Sequence, residues 1–336
     1  MTRSSQPGWP LLRTWLTAAE RSAHATAARL DTLNVFPVPD ADTGTNLHAT
    51  LCAAADRARA LPDDSAPDAA MRECGVAALR AARGNSGTLL AVTLAGMAEP
   101  LGPNSTVDAA TLTACLASAE RDAREALAAP CEGTLLSVLS AVASHAGQAV
   151  VEDAETGLVP LVESCVDVAH EAVRRTEQQL EPLRVAGVVD AGAVGLLWVL
   201  ESLRAAVVAD AVRTDLADDL HGFGPRERGA DEATVVSEDA DPGGAGVEVM
   251  CLLELSPLGA ASLRQRLTEG AEAVILAPVT RSAGPESSGT WRVHFHVPDA
   301  QTGHALLSDA GPPQQLTVTD LSRSGPGTAD AHVGCR

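Results

Sequence analysis

Two carboxylates, Asp40 and Asp42, lie two residues apart between two predicted helices. Pro37 and Pro39 disfavour the α region for the residues that precede them, so the chain should arrive here in an extended conformation. Residues two apart in an extended segment face the same side. The two carboxylates can therefore point at one place, which suits a divalent cation that prefers oxygen ligands.

The four residues after the carboxylates have the chemistry of an anion site. Thr43-Gly44-Thr45-Asn46 supply hydroxyls, a flexible residue and free amide donors at a helix start, and helix N termini favour anions. Two carboxylates would repel a phosphate unless cations lay between them. We therefore predict a magnesium-bridged nucleotide site. For Asp-x-Asp alone, an Asx turn followed by an N-cap is the commoner explanation.

The whole run from Asn34 to Asn46 reads Asn-Val-Phe-Pro-Val-Pro-Asp-Ala-Asp-Thr-Gly-Thr-Asn. It resembles the signature of the dihydroxyacetone-kinase L-domain family, and within that family it is most similar to the ATP-binding subunit of bacterial fatty-acid kinase. The resemblance implies ATP and magnesium as ligands and catalytic roles for Asp40, Asp42 and Thr45. Ala41 replaces a residue that is usually glycine, so the loop is strained if this position needs a positive φ.

Composition limits the fold and the partners. The chain has 336 residues, is 46% hydrophobic and contains three Phe, four Trp and no Tyr, so its core must consist mainly of Ala, Leu and Val. Such a composition favours close helix packing, and the length suggests two domains. A formal net charge of −20 argues against nucleic acids and anionic membranes as partners. The absence of lysine excludes a P-loop lysine, so a phosphate must be held otherwise.

Cysteine usage and hydropathy indicate the compartment. Seven cysteines are scattered without the dense spacing of a secreted disulfide framework. No apolar run follows Arg3 before Arg13, and we expect no stretch long enough to span a membrane. These features predict a soluble cytoplasmic protein without integral membrane association.

Hydrophobic periodicity predicts eight helices in the first 210 residues. They cover residues 9–31, 44–61, 67–82, 87–98, 106–129, 134–150, 157–179 and 192–210. Short connections make consecutive helices antiparallel, so the starts of every second helix should lie at the same end. Those starts carry distinctive motifs, at 40–46, 83–87, 131–134 and 190–192, whereas the opposite loops are acidic or proline-rich turns.

Four helix N termini at one end can bind a polyphosphate without lysine. Taken singly, Gly84, Ser86 and Asp190 are best explained as ordinary helix caps, but their recurrence at alternate junctions favours a shared ligand. The resembling family has Gly-Asn-Ser-Gly, Glu-Gly-Thr and Val-Val-Asp-Ala-Gly at the matching places and builds them on an eight-helix antiparallel barrel. The nucleotide-binding residues that this resemblance implies are Asn34, Thr43, Gly44, Thr45, Asn46, Gly84, Asn85, Ser86, Gly87, Thr134, Asp190 and Gly192.

The rest of the chain differs in composition. Residues 211–245 are acidic and rich in Gly and Pro, which predicts a linker in which His221 and Phe223 make an anchoring contact. Strands predicted at 247–255, 273–278, 290–297 and 315–321, with helices at 257–270 and 299–309, indicate a small α+β ferredoxin-like domain over residues 246–321. Residues 322–336 are expected to form a tail.

A second metal site is predicted in this later domain. His294 and His296 are two apart on a predicted strand and so face one side, and Cys251 lies on another strand. A polar strand face with one buried cysteine is the commoner outcome. However, the middle domain of the fatty-acid-kinase subunit has a cysteine and a His-x-His at matching positions. The resemblance therefore implies zinc at Cys251, His294 and His296, with water, Asp299, His304 or a partner chain as the fourth ligand.

Three functions remain open. The first is an ATP-dependent kinase subunit that transfers the γ-phosphoryl group to an acceptor on a separate protein. The resemblance implies a fatty-acid carboxylate held by a DegV-like fatty-acid-binding protein, or dihydroxyacetone in more distant relatives. The second is a nucleotide-sensing scaffold that forms a homodimer through the later domain, suggested by the lack of the relatives' third domain and by Ala41, Ala193 and Val194. The third is a non-catalytic metal-binding helical module.

Overall fold

The computed structural model describes residues 6–224, 246–280 and 287–321. The described part up to residue 224, called the helical region, contains α1 (Gly8–Leu33), α2 (Thr43–Ala60), α3 (Pro67–Ala81), α4 (Gly84–Gly96), α5 (Ala109–Ala126), α6 (Leu135–Glu152), α7 (Leu158–Gln179), α8 (Glu181–Ala186) and α9 (Ala191–Val208). It also contains a short antiparallel pair, β1 (Gln6–Pro7) with β2 (Thr106–Val107).

The part from residue 246 onward, called the sheet region, is an antiparallel sheet with two helices. Its elements are β3 (Val247–Leu255), α10 (Pro257–Gly270), β4 (Glu272–Pro278), β5 (Gly289–Val297), α11 (Ala300–Leu307) and β6 (Gln314–Asp320). The strand order is β4-β5-β3-β6. The predicted fold class is therefore confirmed at a coarse level, as a mostly helical region followed by a small antiparallel sheet.

Small residues let the helices approach closely. Consecutive helices from α1 to α7 pack side by side, and α9 contacts α1, α2, α6 and α7. A Cβ on Gly44 would lie 2.1 Å from the carbonyl oxygen of Ala27, and one on Gly195 would lie 2.2 Å from Cδ1 of Leu47. Glycine is therefore required where α2 crosses α1, because the clash there is with backbone, whereas a Cβ on Gly195 would displace only the end of the Leu47 side chain. The Ala-rich, aromatic-poor composition fits this packing.

The expectation that no segment reaches the length of a membrane span is wrong for two helices. Leu135–Glu152 and Ala191–Val208 are 18 residues long with mean hydropathies of 1.2 and 1.6. The second of these, α9, is 89% buried inside the helical region. A largely apolar helix buried in this way is typical of the centre of a folded domain.

The chain after α9 packs against the helices at first. Phe223 is 2% exposed, and the guanidinium of Arg29 lies 3.9 Å from the centre of its ring. Arg213 donates to the buried carboxylate of Glu201, at 2.7 Å from Nη2. Residues 211–224 are thus held to the helical region, with Phe223 as the anchor that the sequence predicts. The remainder of the predicted linker, 225–245, and the predicted tail, 322–336, lie outside the described residues.

The sheet has two buried faces. Val249, Cys251 and Leu253 share one core with α10 and α11, whereas Leu252 and Ile275 belong to the core of the helical region. The edge strand β4 also meets the end of α5, where the amide of Ala128 donates to the carbonyl of Val274 at 3.1 Å. The sheet is therefore packed between its own helices and the helical region.

Candidate functional site

The carboxylates of Asp40 and Asp42 converge, as their spacing predicts. Both are half-buried, and their side chains share a hydrogen bond. Asn34 donates its side-chain amide to Oδ1 of Asp40. The side chain of Asn46, in the first turn of α2, hydrogen-bonds to Asp42. Two neutral amides therefore hold the carboxylate pair in place.

This pair binds protons tightly. Burial, the charge of Asp40 and the hydrogen bond between the two groups raise the pKa of Asp42 to about 7. Burial also raises the pKa of Asp40, although its hydrogen bonds to Asp42 and Asn34 oppose the rise. Like charges held together in a partly dry site favour a shared proton unless a cation replaces it. A divalent cation between the carboxylates would relieve this repulsion.

Ala41, between the two carboxylates, has a φ of 56°. This is the left-handed region that the resemblance to a glycine-containing signature anticipates. For alanine it is strained, because Cβ approaches the following carbonyl oxygen. The strained residue reverses the chain so that both carboxylates face inward.

Thr45 is held by a carboxylate that the sequence analysis missed. Its amide and hydroxyl donate to the two oxygens of Asp31, at 3.0 and 2.8 Å. The charge of Asp31 also contributes to the raised pKa of Asp42. Thr43 is buried, and Gly44 packs directly against the backbone of α1. Asp31 precedes the motif by three residues, and no feature of the sequence distinguishes it from an ordinary surface carboxylate.

The starts of α2 and α4 are in direct contact. Gly84 has a φ of +59°, and a Cβ there would lie 2.4 Å from Nδ2 of Asn46. A Cβ on Gly87 would lie 2.9 Å from Oγ1 of Thr50 and 3.0 Å from the carbonyl oxygen of Asn46. Only glycine allows the backbone of residues 84–87 to approach α2 this closely.

The starts of α4, α6 and α9 meet on the other side. A Cβ on Gly192 would lie 3.4 Å from Oγ of Ser86 and 3.6 Å from Cβ of Leu135. Asp190 accepts from the amide of Ala193 at 2.7 Å and from the backbone of Leu135. Burial raises its pKa to about 7. The starts of α2, α4, α6 and α9, hereafter the rim, are therefore adjacent, as the alternation of motifs predicts.

Three more predicted residues lie at the starts of α6 and α4. Thr134 precedes α6 without capping it, and its hydroxyl donates to the carbonyl of Cys131 at 2.9 Å. Asn85 and Ser86 are half-buried in the first turn of α4. The amides of such a first turn have no partner within the helix, and they can bind an anion.

The sheet region contributes a second cluster. Ligand atoms of Glu248, His294 and His296 all lie within 4.8 Å of one another, and Nδ1 of His294 is 3.4 Å from Oε1 of Glu248. Both ring nitrogens of His294 are buried without a hydrogen-bond partner among the described residues. Burial lowers the pKa of His294 well below its ordinary value and that of His296 to about 4. Neutral imidazoles and a carboxylate are suitable metal ligands.

The prediction that Cys251 joins these histidines is wrong. In the antiparallel register, Cys251 is opposite Val293, whereas Glu248 is opposite His296 and Met250 is opposite His294. Alternation then places Cys251 on the face that packs against α10 and α11. Burial raises the pKa of its thiol to about 12. Asp299 is also committed elsewhere, because it caps α11 by accepting from Thr302 at 2.8 Å.

The two clusters lie close enough to interact. Burial and the charge of Asp42 raise the pKa of Glu248 to about 7, and Arg292 lowers it. The charge of Glu248 in turn contributes to the raised pKa of Asp40. The sheet face with Glu248 and the histidines therefore lies beside the carboxylate pair. Glu248 and Arg292 were missed from the sequence because their positions depend on strand register.

Comparison with known proteins matches the helical region to a protein family. The DAK2 domain description matches residues 37–205, just over half of the 336 residues. Protein YloV of Bacillus subtilis (strain 168) is 31% identical over 198 residues, which are 59% of this chain and 35% of that protein. An uncharacterised protein of Staphylococcus aureus (strain bovine RF122 / ET3-1) is 32% identical over 190 residues, or 56% and 34% of the two chains. The matched region is about a third of the length of these relatives.

A solved structure with a similar chain path is the dihydroxyacetone kinase from C. freundii in complex with AMP-PNP and Mg2+. Its TM-score is 0.44 at 17% sequence identity, covering 60% of this chain and 35% of that chain. Similarity at this level adds no evidence to the sequence matches.

Proposed function

This chain belongs to the DAK2-domain family, and we propose that it is the ATP-dependent, nucleotide-binding subunit of a kinase. The observation that carries the proposal is the rim. Four helix starts converge there beside the paired carboxylates Asp40 and Asp42. Carboxylates with magnesium, backed by helix amides, are one of the arrangements that can bind a nucleotide phosphate chain without lysine.

The residues of the chain would act mainly by positioning charge. Asp40 and Asp42 would hold magnesium, and the amides of residues 84–87 would contact phosphate oxygens, with Thr45, Asn46, Thr134 and Gly192 completing the rim. Bound magnesium would supply positive charge to the phosphates. Phosphoryl transfer depends chiefly on such charge neutralisation and on alignment, so a dedicated base on this chain is not required.

We propose a fatty-acid carboxylate as the acceptor, presented by a DegV-like fatty-acid-binding protein, with an acyl phosphate as product. Support comes from the similarity of residues 34–46 to the fatty-acid-kinase signature. A dihydroxyacetone-type acceptor and a non-catalytic nucleotide sensor are the alternatives. The sensor is motivated by Ala41, which stands where the signature usually has glycine.

The cluster in the sheet region is proposed as a site for a transition metal such as zinc. Glu248, His294 and His296 fit such an ion, since the buried nitrogens of His294 lack partners among the described residues. Elemental analysis of protein purified without a metal-affinity resin should find zinc retained in Cys251→Ser and lost in His294→Ala. Loss from both variants to the same extent would contradict the revised ligand set.

We also infer the finer architecture. The helical region is proposed to be the eight-helix barrel of the family, and the strand order β4-β5-β3-β6 supports a ferredoxin-like arrangement for the sheet region. A homodimer is proposed from the resemblance alone. A cytoplasmic location is proposed from the scattered spacing of the cysteines; five described cysteines are free thiols, and Cys52 is disulfide-bonded.

A turnover assay tests the proposed function. The purified chain alone should release ADP slowly, because nothing aligns a nucleophile with the γ-phosphate. Adding a DegV-like protein loaded with a long-chain fatty acid should raise ADP release strongly, and Asp42→Asn should abolish the increase. Efficient phosphorylation of free dihydroxyacetone would favour the dihydroxyacetone-type reaction. ATP binding without any stimulated turnover would favour the sensor.

A further inference from the structure

Arg292 is a buried cation where the sheet meets the helical region. It lies on β5 opposite Leu252 and is 5% exposed. Among the described residues, its hydrogen-bond partners are the carbonyl of Ala82 and the sulfur of Met250, and its Nε has none. Burial is the main cause that lowers its pKa and the charge of Arg83 also lowers it, whereas Cys251 and Glu248 raise it. Burying a guanidinium is costly, so this position needs an explanation beyond packing.

The acceptor of this hydrogen bond is a helix end. Ala82 is the C-cap of α3, and its ψ of 140° turns the chain away from the helix. Carbonyls at helix C termini have no partner within the helix and need one from elsewhere. Arg292 supplies it from a strand 210 residues later in the chain. The contact therefore fixes the point where α3 ends and residues 83–87 begin.

Residues 83–87 are held on their other side by α2. Gly84 takes a left-handed conformation against Asn46, with only 2.4 Å between its missing Cβ position and Nδ2 of that residue. Asn46 in turn hydrogen-bonds to Asp42. The segment is thus placed between a residue that contacts the carboxylate pair and a residue of the sheet region.

We propose that Arg292 is a positioning residue of the nucleotide site: by holding the Ala82 carbonyl, it sets the path of residues 83–87 and so the affinity for Mg-ATP. The inference rests on the proposed function in that it assigns phosphate contacts to this segment. It adds that the helical region does not form its nucleotide site alone, because one of its loops is fixed by the sheet region.

The rival explanation is that Arg292 merely docks the two regions. Arg264 offers a matched control, because it also crosses from the sheet region to a helix end. Its Nη1 donates to the carbonyl of Ala126, the last residue of α5, at 3.3 Å, and its Nη2 to Leu276 at 3.0 Å. The chain after Ala126 is also held by backbone pairing with β4, through Leu127 opposite Ile275, before it reaches the start of α6 at Leu135. Loss of Arg264 therefore leaves that path fixed, whereas residues 83–87 follow Ala82 directly. A pure docking role predicts equal effects for both arginines.

The test compares Arg292→Met with Arg264→Met, since methionine keeps an apolar stem but removes every donor. The first readout needs no ligand. Amides of residues 88–91 bond to the carbonyls of 84–87 in α4, and their hydrogen exchange should be about tenfold faster in Arg292→Met but nearly unchanged in Arg264→Met. The second readout is Mg-ATP titration, in which Kd should rise about tenfold in Arg292→Met and less than about twofold in Arg264→Met.

Arg292→Lys is a second, milder variant that tests the proposal if Arg292→Met fails to fold. Lysine keeps the charge but not the planar fork, so its exchange rates and Kd should lie between those of wild type and Arg292→Met. Equal effects from the two arginines, or no effect of Arg292 on exchange, would overturn the proposal. Faster exchange in Arg292→Met, together with no Mg-ATP binding by the wild type, would uphold the positioning of residues 83–87 while refuting the proposed function.

Discussion

Ala41 shows how one residue shapes the carboxylate pair. Its φ of 56° turns the chain between Asp40 and Asp42, and the two side chains meet as a result. The signature to which this run is similar usually has glycine here, a residue with no penalty in this region. The resemblance therefore predicted strain at Ala41 on the condition that its φ is positive, and the structure meets that condition. The sequence did not identify Asp31, whose contact with Thr45 depends on how α1 and α2 cross.

Ala41→Gly should stabilise the protein by about 0.5–1 kcal/mol, because it relieves the left-handed strain at a small cost in unfolded-chain entropy. Urea unfolding followed by circular dichroism would measure the change. The same substitution at the exposed Ala25, inside α1, should instead destabilise by about 1 kcal/mol. A destabilising effect at both positions would show that Ala41 is not strained.

At the scale of elements, Asp190 joins two helix starts. It caps α9 through Ala193 and accepts from Leu135 in the first turn of α6. Its carboxylate is 6% exposed, and burial raises its pKa to about 7. Because the folded state holds the proton more tightly than the unfolded state, Asp190 contributes most to the stability of the fold at low pH. Its contribution to stability is lost as the pH rises from about 4 to about 7.

Asp190→Asn removes the pH-dependent contribution and keeps the helix cap, since asparagine caps helices as well as aspartate does and cannot ionise. We expect the free energy of unfolding of the variant, relative to wild type, to increase by on the order of 1–4 kcal/mol between pH 5 and pH 8. Urea unfolding at the two pH values would measure it. A pH-independent difference between the two proteins would contradict the raised pKa.

Element bounds were largely accessible from the sequence, whereas contacts between elements were not. Strand β3 was predicted at its observed limits, 247–255. The six-residue α8 was missed because it is too short to show a helical period. Only part of the metal cluster, the pair of histidines, was predicted from the sequence. Two histidines on one strand share a face by alternation, but whether Cys251 or Glu248 joins them is set by the register of β3 against β5.

At the scale of the whole molecule, the candidate site lies between two regions of the chain. The helical region provides Asp40, Asp42 and the rim, and the sheet region adds Glu248 and Arg292 beside them. The alternation of motifs along the helices was enough to predict the rim. The contribution of the sheet was not predictable, because it depends on which face of the sheet packs against the helices.

The central claim is that the rim binds Mg-ATP through Asp40 and Asp42. Calorimetric titration of ATP into the full chain, with and without magnesium, tests it most directly. We expect binding that requires magnesium and is weakened at least about a hundredfold in Asp40→Asn and Asp42→Asn, while Asp64→Asn, on an exposed loop after α2, behaves as wild type. Undiminished, magnesium-dependent binding in both carboxylate variants would contradict the account.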